Sequence, residues 1–177
     1  MNELAAFLYE AGQLKRVRRS GWWLAGVRDP ESVAEHSFRT AVIGFVLAHL
    51  EGADAGRVTI GCVFHDLCET RINDQHRLGR RYVDWTPVEH ASRDAQLETL
   101  PTPMRAALTD ILTTADAKEA RIARDADLLE CLLQAREYQV TGAASAETWV
   151  RNCYAALQTE SERRLADACI AMDPVAW

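Results

Sequence analysis

The chain of 177 residues has no stretch of about 18 uninterrupted apolar residues, the length a membrane-spanning helix needs. It has no Cys-x-x-Cys pair, and its five cysteines (Cys62, Cys68, Cys131, Cys153 and Cys169) are odd in number. That pattern excludes a zinc knuckle and argues against a disulfide frame. It fits reduced thiols used as small hydrophobes in a cytoplasmic protein. Nine glycines and five prolines are too few for a disordered or many-turned all-β chain. No run alternates convincingly over the length of a strand, and there is no internal repeat, low-complexity tract or Gly/Ser linker. The chain does not open on a basic segment followed by an apolar run, so no signal peptide is expected. Cations are in deficit, 20 Lys and Arg against 26 Asp and Glu, for a formal charge of -6. This argues against polymeric nucleic acid as a partner and leaves room for a small anionic substrate at a local basic cluster.

Helical spacing is present almost everywhere, and the expected fold class is all-α: a single domain over residues 1–177. Leu4, Phe7, Leu8, Ala11 and Leu14 share one face of a helix expected from Asn2 to about Val17. A loop with Gly21, Gly26 and Pro30 follows. Ser32-x-x-Glu35 reads as a capping box that opens the second helix. Asp54 caps a third, which carries Val58, Cys62 and His65. Residues 72–85 are polar and irregular, Thr86-Pro87 starts another helix, and Thr102 to about Thr114 is a short one. Asp116-x-x-Glu119 caps a long helix from Ala117 to about Val140, which Gly142 ends. Ser145 begins a last helix running toward Ile170. The chemistry-bearing core spans residues 14–140, with the C-terminal helix at 145–170.

Two histidines and three acids stand out on the inner faces of these helices: His36, His65, Asp66, Glu69 and Asp127. Neutral imidazoles and carboxylates from separate segments can close around one divalent ion. An unpaired buried carboxylate costs several kcal/mol, and a cation among them removes that burden. A lone histidine on an apolar face is more commonly a hydrogen-bonded core residue. On residue types and spacing alone, a metal centre and a polar core remain about equally open.

Glu31-Ser32-Val33-Ala34-Glu35-His36-Ser37, His65-Asp66-Leu67-Cys68-Glu69 and Asp125-Ala126-Asp127-Leu128-Leu129-Glu130 resemble, in order, the three motifs of HD-domain phosphohydrolases. Leu14-Lys15-Arg16, Gly21-Trp22 and Gln134-Ala135-Arg136-Glu137-Tyr138 are similar to the small 5′-deoxynucleotidase-like branch. The resemblance covers about Leu14 to Tyr138. It implies a helical bundle around one divalent metal (Mn, Co, Ni, Fe or Zn), with His36, His65, Asp66 and Asp127 in the ligand positions. Asp125 is the rival for the last of these; the alignment through Tyr138 favours Asp127 and leaves Asp125 for the surface or the ligands' surroundings. The resemblance further implies that Glu69 orients or deprotonates the attacking water. Where the branch has Gly-Asp, this chain has Asn73-Asp74. The retained Asp74 stays near the leaving oxygen as a catalytic acid, and Asn in place of Gly bears on the loop's backbone. Phosphate needs cations, and Lys15, Arg16, Arg18 and Arg19 precede Trp22-Trp23, while Arg77, Arg80 and Arg81 follow Asp74. The substrate-binding expectations are Arg19, which matches the branch's Arg ahead of Gly-Trp, together with Trp22 and Arg77. Trp22 or Trp23 either stacks on a base or packs in the core.

The activity implied is release of phosphate from (deoxy)nucleoside 5′-monophosphates, by a cytoplasmic homodimer. The nearest variant is a phosphomonoesterase for another small metabolite. A di-iron HD-type oxygenase would recruit His76 and His90, which lie between the second and third motifs. A non-enzymatic helical module with a vestigial site is the remaining class.

Overall fold

The computed structural model describes residues 1–114 and 117–176. Among these the only pairing of extended segments is an isolated antiparallel bridge between Arg18 and Ser32, so the fold is all-α. The Asp116 cap expected from sequence lies outside the described residues.

Three helices carry the site: α2 (Val33–Glu51), α3 (Ala55–Phe64) and α7 (Ala117–Val140). Ser32 and Glu35 form the capping box read from sequence, and α2 ends where Gly52 turns left-handed at φ 65°. Asp54 accepts from the Arg57 N–H at 3.0 Å to open α3. These three helices pack on Ile43, Leu47, Val58, Cys62, Ile122 and Leu129, all buried. Gly44 allows the closest approach. A Cβ there would sit 2.7 Å from Cys62 Sγ and 3.2 Å from Val58 Cγ1.

A smaller core holds the other end. Phe7 of α1 (Asn2–Ala11) meets Leu14, Val17, Val33, Leu67, Leu97 and Leu100. The helix expected to reach Val17 stops at Ala11, and Gly12–Lys15 tightens into a 3₁₀ turn that carries Leu14 inward. The expected loop before α2 contains a further 3₁₀ segment, Ser20–Ala25. Beyond α3 come the one-turn α4 (Glu69–Ile72), α5 (Thr86–Leu97) and α6 (Thr102–Thr114).

Two departures from the sequence reading matter. His65 is not inside its helix: it is the C-cap of α3, and tight turns (Leu67 N–H to Phe64 O, Glu69 N–H to Asp66 O) lead into α4. The expected last helix is two, α8 (Glu147–Ala156) and α9 (Glu160–Ala171). Leu157 is extended, and Thr159 with Glu162 forms a second capping box. The buried Asp125 carboxylate fixes that break by accepting from the N–H groups of Gln158 and Thr159, at 2.8 and 3.3 Å. Asp125 is therefore an internal strut between α7 and α9, not a surface residue.

Candidate metal centre and phosphate pocket

His36 sits one turn into α2 and is fully buried. Its Nδ1 bonds to Glu130 of α7, which leaves Nε2 facing Asp127 Oδ1 at 3.1 Å and Asp66 Oδ2 at 3.8 Å. His65 Nδ1–H donates to its own helix, to the Cys62 carbonyl at 2.7 Å. Both rings thus have Nδ1 occupied and present Nε2 to one point, with centroids 5.5 Å apart. Donor atoms of His36, His65 and Asp127 lie within 4.8 Å of one another. Asp66 stands beside this trio, 3.1 Å from His65 Nε2. Yet that nitrogen is buried without a hydrogen-bond partner, since the pair has ion-pair distance but not hydrogen-bond geometry. Nitrogen and oxygen aimed past each other at a third position, in an N/O donor set, suit a divalent transition ion. The residues present therefore fit the metal that the motifs imply. In the metal-free chain, burial and Arg19 oppose charge on His36, but Asp127 and Glu130 outweigh them and raise its pKa to about 10.

Glu69 is buried at the start of α4, and its Oε2 has no partner. Burial, then Asp66 and Asp74, push its pKa up to about 9. Arg19 enters from the segment before the Ser20–Ala25 turn. Burial opposes its charge, but Asp66, Asp127 and Asp74 hold its pKa well above the ordinary value. Its contacts to the three are 3.4, 3.9 and 3.4 Å, long for charge-assisted bonds of about 2.8 Å. The fork is attracted by all three and fully engaged by none.

Asp74 is anchored: the Ser20 N–H and Ser20 Oγ both donate to its Oδ2 at 2.6 Å. The preceding Asn73 has φ 60° and ψ 166°, a region suited to glycine, and is the one positive-φ non-glycine among the described residues. The loop keeps the glycine-type turn despite the substitution.

One open cavity of about 340 Å³ has Arg19, Asp66, Glu69, Asp74, Arg77, Asp127 and Trp149 among its walls. A larger hollow of about 610 Å³, at Arg18, Glu35 and Phe38, contains none of the converging donor atoms of the His36–His65–Asp127 trio. The HD-domain family profile matches residues 11–168. The chain belongs to the HD-domain family. Human 5′-deoxynucleotidase HDDC2 is 31% identical over 145 residues, covering 77% of this chain and 68% of that protein. A solved protein called genomics APC5600 is 31% identical with a TM-score of 0.81, covering 100% of this chain and 99% of that one. The fold is also that of the cyanophage S-2L HD phosphohydrolase DatZ, solved with dA and one catalytic Zn²⁺. There the identity is 17%, the TM-score 0.58, and the coverage 92% of this chain and 91% of that one.

In this HD domain the basic clusters separate. Of the first, only Arg19 reaches the cavity: Arg16 bonds Gln13, and Arg18 pairs with Asp29. Of the second, the exposed Arg77 and Arg80 both lie on the cavity wall, and Arg80 also pairs with Glu89. Trp22 is buried, donating from Nε1 to Glu31 at 3.0 Å and packing edge-on to Tyr138, so only an edge of it reaches the cavity. Trp23 is exposed. His76 lines the cavity but spends Nδ1 on the Gly79 N–H, and neither it nor His90 joins a metal-ligand grouping among the described residues. Sequence reasoning missed Ser20, Arg39, Glu130 and Trp149. The signal for two of them was present: Arg39 and Glu130 follow His36 and Asp127 by three, one turn along the same helix face.

Proposed function

We propose that this HD domain, one unit spanning residues 1–177, is a metal-dependent phosphohydrolase. It releases phosphate from (deoxy)nucleoside 5′-monophosphates. The observation that carries the reading is the convergence of the His36, His65 and Asp127 donor atoms beside Asp66, where Asp66 and Asp127 line a cavity shared with Arg19 and with Glu69, whose Oε2 has no partner. Similarity to 5′-deoxynucleotidases supports the substrate class.

His36, His65, Asp66 and Asp127 hold one divalent ion: Mn, Co, Ni, Fe or Zn. Bound there, the ion supplies Lewis acidity to the phosphoryl group and to a water. Glu69, whose Oε2 has no partner, would orient or deprotonate a water there. Arg19 has donor capacity to spare and receives the phosphate oxygens, and the developing negative charge strengthens that contact. Asp74, locked by Ser20, steers Arg19 and serves the departing 5′ oxygen as the acid. Arg77 and the edge of Trp22 bound the rest of the substrate. A phosphomonoester of another small metabolite would meet the same groups.

The active form is a homodimer, supported by the exposed Phe38, Val42, Phe45, Val46 and Leu50 at helical spacing on α2. Charge and composition support a cytoplasmic setting without polymeric nucleic acid, as do five free thiols. Among the described residues no helix is long and apolar enough to cross a membrane.

The test is phosphate release by the purified chain, screened over deoxy- and ribonucleoside 5′-monophosphates and sugar phosphates with each metal in turn. The expected result is turnover of 5′-monophosphates, lost by at least about a hundredfold in Asp66→Ala with its circular dichroism unchanged. No release from any phosphoester with any metal would overturn the proposal.

A further inference from the structure

Glu130 is a carboxylate with no exposure, deep between α2 and α7. An isolated charge there would be strongly destabilising. It has two partners, and they divide its oxygens. Oε2 bonds His36 Nδ1. Oε1 accepts from Arg39 Nε at 3.0 Å and stands 2.8 Å from Arg39 Nη2. Arg39 follows His36 by one turn, and its remaining donors reach further down α7, to Gln134 at 2.8 Å and Glu137 at 2.6 Å. The guanidinium is thus held at several points, and it holds Glu130 in turn.

An imidazole whose Nδ1–H is given to a carboxylate can offer only Nε2 as a lone-pair donor, in a fixed ring orientation. Here Nε2 is the atom that faces Asp127 and Asp66. The contrast with His65 is informative. That ring uses a local carbonyl, supplied by its own helix whatever α7 does. His36 depends on a charge delivered from another helix.

We propose that Glu130, braced by Arg39, is the positioning residue that fixes the His36 ring and aims Nε2 at the metal. Its role is exerted through His36. The inference rests on the metal centre of the proposed function but not on the identity of the substrate. A rival role for the same contacts is a simple α2–α7 strut. Glu137 separates the two, because it shares the Arg39 brace and has no bond to His36.

The experiment measures metal affinity by chelator competition, with Zn²⁺ and Mn²⁺, on the full chain and on Glu130→Gln and Glu137→Gln. Glu130→Gln is expected to weaken binding by about 10- to 100-fold. Glu137→Gln should stay within about twofold of the parent even if its Tm falls. Unchanged affinity in Glu130→Gln, or equal weakening in both variants, overturns the proposal. Nitrogen NMR of the metal-loaded parent needs no variant: it should find the His36 proton on Nδ1, and a proton on Nε2 overturns the proposal as well. A parent chain that binds neither ion would instead overturn the metal centre, and this inference with it.

Discussion

Arg19 places one cation among Asp66, Asp74 and Asp127 and lets those carboxylates coexist before any metal is present. A second buried acid group uses a proton instead. Glu162, fully buried on α9, accepts from the Thr159 N–H with Oε2, while its Oε1 has no donor and faces Asp125. Burial, then Asp125, raise its pKa from 4.5 to about 8. The sign of the linkage follows. Between about pH 4.5 and about pH 8 the folded chain keeps a proton that the unfolded chain gives up, so stability falls as pH rises through that window. Below it both states are protonated and this group contributes no slope. Glu162→Gln, a neutral group that can still donate, should flatten the decline of Tm with pH and gain most over the parent near pH 8. Identical slopes for parent and variant in thermal melts would refute the assignment. The sequence displayed Thr159-x-x-Glu162 as plainly as Ser32-x-x-Glu35, yet helical periodicity ran across it. What periodicity could not express is that Asp125, over thirty residues away, takes the two N–H groups at the break.

Among the elements, α2 bears most of the construction: it supplies His36, Arg39 and the groove that admits α3. Gly44 is the contact point. An added methyl would gain about 1 kcal/mol of helix propensity. It would also meet Cys62 Sγ at 2.7 Å and Val58 Cγ1 at 3.2 Å in a filled core. Overpacking of this kind costs about 1–3 kcal/mol. It also displaces Cys62, whose carbonyl orients His65. Gly44→Ala should therefore lower stability by up to about 2 kcal/mol, or by up to roughly 8 °C in Tm for a chain of this size, and weaken metal binding. A variant as stable as the parent, with unaltered metal affinity, would show that α3 yields without cost. Capping signals located α2 and α3 well in sequence. The turn at residues 65–68 was not legible, because the His-Asp pair continues an apolar helical pattern and only the tertiary requirement to turn Glu69 inward breaks it. Motif alignment favours Asp127 over Asp125 as the ligand. The geometry separates them physically, one facing His36 and the other capping the break before α9.

For the whole molecule, the outer side of α2 is the anomaly. Phe38, Val42, Phe45, Val46 and Leu50 recur at helical spacing and are all exposed, Phe38 at 72% and Leu50 at 59%. The stripe runs into an apolar groove of about 350 Å³ between α1 and α3, lined by Phe7, Leu8, Ala11, Phe38 and Val63. A continuous apolar strip of this length is uncommon on a monomer. In the sequence it was indistinguishable from a core face, since Val42 and Val46 look no different from Ile43 and Leu47. The occupant we favour is a second copy of this chain, its α2 antiparallel to the first, because a two-fold pairing matches a straight uncharged stripe to itself without needing complementary charges. Phe45, near the middle of the stripe, is the residue to change. Phe45→Glu would set two carboxylates against each other across the axis and should halve the mass measured by light scattering at micromolar concentration. Far-ultraviolet circular dichroism should not change, because Phe45 is half exposed and its ring packs on His49 of the same helix. A parent chain that is monomeric under the same conditions would rule out self-association through α2.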